Sequence, residues 1–206
     1  MYVMEHGHGF NPLPEPLKRA LDAAQRAVDL DPSNAYAHNS LAQAYFFLKK
    51  LPEFRLAAQR ALELNPWDSN NLVGMGLFWS FCLDSQEGCG IIARAEKLNP
   101  QHPSWYAFAN FWHAYHQRDY AAATTLALKI GRSVHHWPPL MRAIAYGQSG
   151  QAEPAREALA ELLALRPEFG KEAKVFLDKW FLPDMVDHIL DGLRKAGLEA
   201  EPSSLE

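Results

Sequence analysis

The hexapeptides AVDLDP at 27–32, ALELNP at 61–66 and AEKLNP at 95–100 decide how this chain is read. Their prolines, Pro32, Pro66 and Pro100, stand 34 residues apart twice in succession. A related phrase, LLALRP, ends at Pro167, 67 residues beyond Pro100. Each phrase is a run of strong helix formers closed by a residue that cannot extend a helix. Proline lacks the N–H donor and its ring collides with the preceding turn. The phrases therefore mark helix ends, and their spacing marks an internal repeat.

Working outward, the residues between the phrases fall on helical stripes. With Pro32 at position 32 of the first repeat, the second repeat aligns Leu41, Ala42 and Tyr45 on one face of its first helix. The third aligns Leu72, Met75, Gly76 and Trp79. Ala42 and Gly76 are expected where two helices approach most closely, with larger residues filling the space beside them. Ala61 and Ala95 hold the same place in the second helices, whereas Phe54 and Ala58 exchange the usual small and large positions, a swap that conserves volume. A fifth repeat fits through Tyr146, Gly150, Ala155 and Leu159, although Arg142 stands where an apolar residue is expected. The fourth fits least well: Tyr120 comes late, which predicts a longer hairpin turn. Helices are expected near 14–31, 35–49, 52–65, 69–83, 85–98, 103–117, 119–131, 137–149, 153–166, 169–181 and 183–196, with no strand.

The 34-residue period and these positions resemble tetratricopeptide-repeat (TPR) proteins. The resemblance implies an all-α TPR solenoid: a right-handed superhelix of antiparallel helical hairpins, about five repeats, completed by C-terminal capping helices. The expected division is an irregular segment over 1–13, repeats over 14–181, a capping helix over 182–198 and a disordered tail over 199–206. The opening HGHGFNPLP carries too many glycines and prolines for a good first helix. The apolar side of helix 14–31 then needs a cover, and segment 2–10, an upstream domain or a second copy are the three candidates.

Two further phrases narrow the resemblance. GFNPLPEPLKRALDAAQRAVDLDPSNAYAHNSLAQAYFF, starting at Gly9, and HILDGLRKAGL, starting at His188, are similar to the C-terminal TPR region of large bacterial signalling proteins. Those proteins carry a class III adenylate/guanylate cyclase domain or a winged-helix DNA-binding domain ahead of the repeats. The resemblance implies a regulatory, protein-binding role and brings no catalytic residue with it.

Composition narrows the function classes. A net charge of −4 gives no basic footprint for nucleic acid. No apolar run is long enough to span a bilayer, and the first residues lack the pattern of a signal peptide. Two cysteines, Cys82 and Cys89, cannot form a disulfide framework and are expected to be buried thiols, in keeping with a reducing cytoplasm. No nucleophile motif or phosphate-binding loop occurs, and Glu157 and Glu161 read as a solvated helix face with Arg156. No enzyme activity and no cofactor is expected. His113 and His116 stand three apart on a helix, but no further ligand residue accompanies them at a suitable spacing except Asp119, so no metal site is expected.

The TPR resemblance points to a groove formed by the first helices of the hairpins, where a protein or peptide partner binds. Its positions fall on Tyr36, Asn39, Gln43, Phe46 and Phe47 in the second repeat. In the third they fall on Asn70, Val73, Leu77, Ser80 and Phe81, and in the fourth on Trp105, Phe108, Trp112 and Tyr115. So many rings would favour an apolar or amphipathic ligand, with packing between neighbouring helices as the competing role for each ring. Replacing Trp105 and Trp112 by alanine is then expected to abolish partner binding and leave helicity intact. No lysine or arginine falls on the set, which disfavours a clamp for a terminal carboxylate. The alternative expectation is a homodimerisation domain, in which the open N-terminal edge and the rings assemble fused domains.

Overall fold

The computed structural model describes residues 2–9, 13–82, 85–131 and 135–199. Among them all regular structure is helical, as the repeat pattern requires. The fold is an all-α, TPR-like helical repeat. The chain divides into two compact units, Met1–His102 and Pro103–Glu206. Most of the tail expected to be disordered lies outside the described residues.

Unit 1 holds α1 (Tyr2–His8), α2 (Pro16–Leu30), α3 (Ala35–Phe47), α4 (Leu51–Leu64), α5 (Ser69–Phe81) and α6 (Ser85–Leu98). The three hexapeptides do what their chemistry dictates: α2, α4 and α6 end at Leu30, Leu64 and Leu98, each two residues before its proline. The next helix is then started by a carboxylate or amide. Asn34 accepts from the amides of Tyr36 and Ala37, and Asp68 from those of Asn70 and Asn71. The α3–α4 turn closes through Lys49 at φ 58, with Lys49 N donating to Phe46 O and Lys50 N to Tyr45 O.

Helices α5 and α6 cross at glycines. A Cβ on Gly88 would stand 2.7 Å from the carbonyl oxygen of Gly76, so no side chain fits between the two backbones. In the preceding hairpin Phe54 occupies the place of Gly88, fully buried, its ring 5.8 Å from Phe46 and 5.3 Å from Trp79. The small Ala58 beside it accommodates the ring, as the volume swap requires.

The irregular segment expected over 1–13 contains a helix. α1 forms despite Gly7 because tertiary contacts outweigh propensity. Arg19 of α2 pairs with the buried carboxylate of Glu5 at 2.8 Å, and its guanidinium lies 4.7 Å over the Tyr2 ring. His6 meets the edge of Phe47 at 5.6 Å, and Gly9 at φ 73 ends the helix. Residues 2–8 therefore cover part of α2. The seven residues of α1 face the fifteen of α2, and Ala27 stays exposed where its counterparts Ala61 and Ala95 are fully buried.

Unit 2 holds a 3-10 turn (Ser104–Tyr106), α7 (Ala107–His116), α8 (Tyr120–Ile130), α9 (Trp137–Gln148), α10 (Ala152–Leu165), α11 (Phe169–Trp180) and α12 (Pro183–Lys195). The turn expected to be longer in the fourth repeat is not. Arg118 at φ 60 closes α7–α8 with the same bond pattern that Lys49 and Gly150 give their turns. Tyr120 comes late because the irregularity lies upstream, where the first helix opens as a 3-10 turn. Arg142, the odd residue of the fifth repeat, is buried and satisfied: it donates to Glu161 at 2.7 Å and to the carbonyl of Gly131 at 3.1 Å.

The last two helices leave the repeat pattern. α12 packs chiefly against α9, the first helix of the preceding hairpin, and only sparingly against α10 and α11. The contact is backbone-close: a Cβ on Gly147 would lie 2.3 Å from the carbonyl oxygen of Gly192.

Candidate functional site

The first-helix face of unit 1 is built from α3 and α5. Its centre is a chain of amides. Gln43 Nε2 donates to Asn39 Oδ1 at 2.6 Å, Asn39 Nδ2 donates to Asn71 Oδ1 at 2.6 Å, and Asn71 Nδ2 donates to the carbonyl of Ala61 at 3.0 Å. Asn39 and Asn71 are buried, and this ladder satisfies them. Gln43 ends it, half-buried, with its side-chain oxygen accepting none of these bonds. Tyr36 is 56% exposed, and its hydroxyl donates to Asp68. That bond raises the Tyr36 phenol above its ordinary value and lowers the Asp68 carboxyl. Asn70 is exposed and Leu77 half-buried.

The remaining residues assigned to this face lie inside. Phe46 contacts Phe47 at 5.1 Å, Phe78 at 4.9 Å and Phe81 at 6.1 Å, and all four rings are buried. Val73 and Ser80 are buried as well, Ser80 donating to Leu77 O. Positions near the end of a first helix point between adjacent hairpins, so their rings become core. The accessible surface is consequently polar: Tyr36, Gln43, Ser40 and Asn70. Beside it lies a depression of about 360 Å³ lined by Tyr2, Val3, Ala20, Ala24, Ser40 and Gln43.

In unit 2 Trp105 is 41% exposed, with its ring 4.8 Å from Tyr106, and Phe108 is half-buried. Trp112 and Tyr115 are completely buried. Trp112 packs against Trp137 at 6.0 Å and Phe181 at 4.6 Å. Tyr115 stacks on His188 at 4.5 Å and donates its hydroxyl to the His188 carbonyl at 3.1 Å, and burial drives its phenol far above the ordinary range. The fifth repeat behaves alike. Trp137 meets Phe176 and Trp180, each at 5.3 Å, Ile144 abuts Gly192, and Gln148 donates to Asp191 at 3.0 Å. Counting the groove positions into the fifth repeat yields Trp137, Leu140, Ile144, Gly147 and Gln148, a set the sequence reading did not extend to although Tyr146 and Gly150 fix the register. In unit 2 the first-helix face is thus covered by the chain's own α11 and α12.

The residues that invite a chemical reading have defined surroundings. Cys82 is buried and donates to the Phe78 carbonyl at 3.6 Å, and burial with nearby Glu96 pushes the half-buried Cys89 thiol up to about 11. Arg156 pairs with Glu153, and Glu161 belongs to Arg142. The His135 and His136 rings stack at 4.4 Å, and burial lowers His135 below the ordinary imidazole value. No helix of the described residues is long and apolar enough to cross a membrane.

No family model matches the sequence, and no curated protein matches it either. Among solved structures the chain is similar to PilW, a widely conserved type IV pilus biogenesis factor. The match has a TM-score of 0.65 at 16% sequence identity and covers 94% of this chain and 85% of that one. At that identity what the two share is the fold, and this chain accordingly has an all-α, TPR-like helical-repeat architecture.

Proposed function

We propose that this chain is a non-enzymatic protein-interaction module whose first-helix face in unit 1 receives a segment of a partner protein. The observation that carries the reading is the contrast in cover. Tyr36, Gln43 and Asn70 remain accessible, while in unit 2 the face is occupied at Trp112, Tyr115, Ile144 and Gly147 and only partly open at Trp105. Gln43 stands at the end of a braced amide ladder, so its orientation is fixed before a ligand arrives. A preorganised amide suits the N–H and C=O groups of an extended peptide, because little side-chain freedom is lost on binding. The likeness to PilW, a biogenesis factor by its description, and the resemblance of the two end phrases to regulatory TPR regions both support a binding role. No cofactor or metal enters this reading.

The test is selection from a displayed peptide library on the whole protein, followed by the double substitution Tyr36→Ala, Gln43→Ala. A consensus peptide that binds the parent and is lost on the variant supports the reading. A consensus that binds both equally removes unit 1's face from it.

A second reading is self-association through the uncovered stripe of α2. The exposed Ala27, where Ala61 and Ala95 are fully buried, favours it. Light scattering over a wide range of concentration decides. A dimer that Ala27→Glu dissociates supports this reading, and a monomer throughout removes it.

A further inference from the structure

Helix α12 covers its face with two kinds of contact. Val186, Ile189 and Leu193 are buried along one side, with Gly192 set against Ile144. The other contact is a polar corner centred on His188. Tyr115 Oη and Gln148 Nε2 both donate to the His188 carbonyl, at 3.1 and 3.3 Å. The Tyr120 hydroxyl meets His188 Nε2 at 2.9 Å, and Gln148 is tied to Asp191 at 3.0 Å and to Lys195 at 2.8 Å. One titratable ring thus sits where α7, α8 and α9 all grip α12.

We propose that α12 is a pH-sensitive latch: it occupies the first-helix face of unit 2 at neutral pH and is loosened when His188 takes up a proton. The charges around the ring set the direction. Arg118 in the α7–α8 turn, His116 of α7 and Lys195 of α12 itself all disfavour a further positive charge. Asp191 alone favours it, and Asp191 is engaged by Lys195 at 2.7 Å. The faces of Tyr115 and Tyr120 are neutral, and the stack on Tyr115 offsets part of the cost through its π-face. Burial is the largest influence, and with Arg118 it holds His188 below the ordinary imidazole value of 6.5.

The sign follows. In the docked state the ring binds a proton less readily than when α12 is released and the ring is in water. Docking is therefore complete above the ordinary imidazole value and weakens as pH falls through it toward the docked value. Each unit of separation between the two values changes the docking equilibrium about tenfold. Release would uncover Tyr115, Ile144, Gly147 and Gln148, a surface that α12 itself shows to fit a helix with a small residue at its centre.

Amide hydrogen exchange on the whole chain, corrected for intrinsic rates, tests the latch at about pH 7.5 and about pH 5.5, on either side of the free imidazole value. Protection of α12 is expected to fall several-fold more than that of α10 in acid, and His188→Gln is expected to abolish the difference. Tyr120→Phe provides a second arm that keeps every ring in place. It removes the hydroxyl that stands 2.9 Å from His188 Nε2, so the midpoint of the transition should move. The proposal is overturned if α12 and α10 lose protection in parallel, if His188→Gln keeps the pH dependence, or if Tyr120→Phe leaves the midpoint where it was.

Discussion

Unit 1 and unit 2 are built from the same hairpin, yet they treat its first-helix face in opposite ways. In unit 1 the face carries amides braced from below by Asn71 and the Ala61 carbonyl, and its outer members meet solvent. In unit 2 Trp112, Tyr115, Trp137, Ile144 and Gly147 hold corresponding positions and lie beneath α11 and α12, while Trp105 stays partly exposed. The difference teaches that position in a repeat does not by itself make a residue a ligand contact. Trp105 stays partly accessible, and Trp112 is a core residue where the chain folds back over it.

The sharpest way to break this comparison is at the two tryptophans. Trp112→Ala removes a fully buried ring packed on Trp137 and Phe181, and should destabilise unit 2 by about 3–5 kcal/mol. Trp105→Ala, at a partly exposed site, should change stability by less than about 1 kcal/mol. Chemical denaturation of both variants checks the pair, and equal effects would end the distinction drawn here. The expectation that both substitutions spare helicity therefore narrows to Trp105, since Trp112 has no solvent-facing surface to lose.

Next in size is Gly147→Leu. A Cβ there meets the Gly192 carbonyl, so the overpacked contact should cost about 3 kcal/mol and strip protection from α12 first. Hydrogen exchange should show α3 and α5 unchanged. Loss of protection in unit 1 of the same size would mean that the two faces are not independent. Asn71→Ala probes the other face. It leaves Asn39 and the Ala61 carbonyl without their partner, at about 1–3 kcal/mol, and should free Gln43 from its fixed orientation. A denaturation midpoint unchanged from the parent would show that the ladder contributes nothing.

The smallest effect has the opposite sign. Gly74 in α5 has only Asn39 Nδ2 near, 3.6 Å from where a Cβ would stand. Gly74→Ala should therefore raise stability by about 0.5–1 kcal/mol through helix propensity alone. A thermal melt checks it. A fall instead would mean that the α3–α5 contact is as tight as the one between α9 and α12.

Much of this architecture could be read before any coordinates. Pro32, Pro66 and Pro100 announced where α2, α4 and α6 stop, because a missing donor acts locally. Gly76 is legible as a crossing point from its repeat position, and Gly88 is its partner. α1 is not legible in the sequence, since Gly7 and Gly9 argue against a helix and only the buried Glu5–Arg19 pair argues for one. Of the candidate site, Tyr36, Gln43 and Asn70 lie accessible, whereas Phe46, Phe47, Val73, Phe81, Trp112 and Tyr115 lie inside. No signal in those six side chains separates an exposed stripe from a covered one, because the hydrophobic pattern is the same in both.

The sequence by itself determined the all-helical class, the repeat length and nearly every helix boundary. Those follow from donors, caps and periodic apolar residues acting within a few turns of chain. Only the tertiary structure decided which face stays open. That choice rests on α12 returning to α9 through Gly147 and Gly192, and on His188 reaching Tyr115 and Tyr120 some seventy residues away. Such contacts depend on shape matching between distant surfaces, and no local pattern in the chain encodes it.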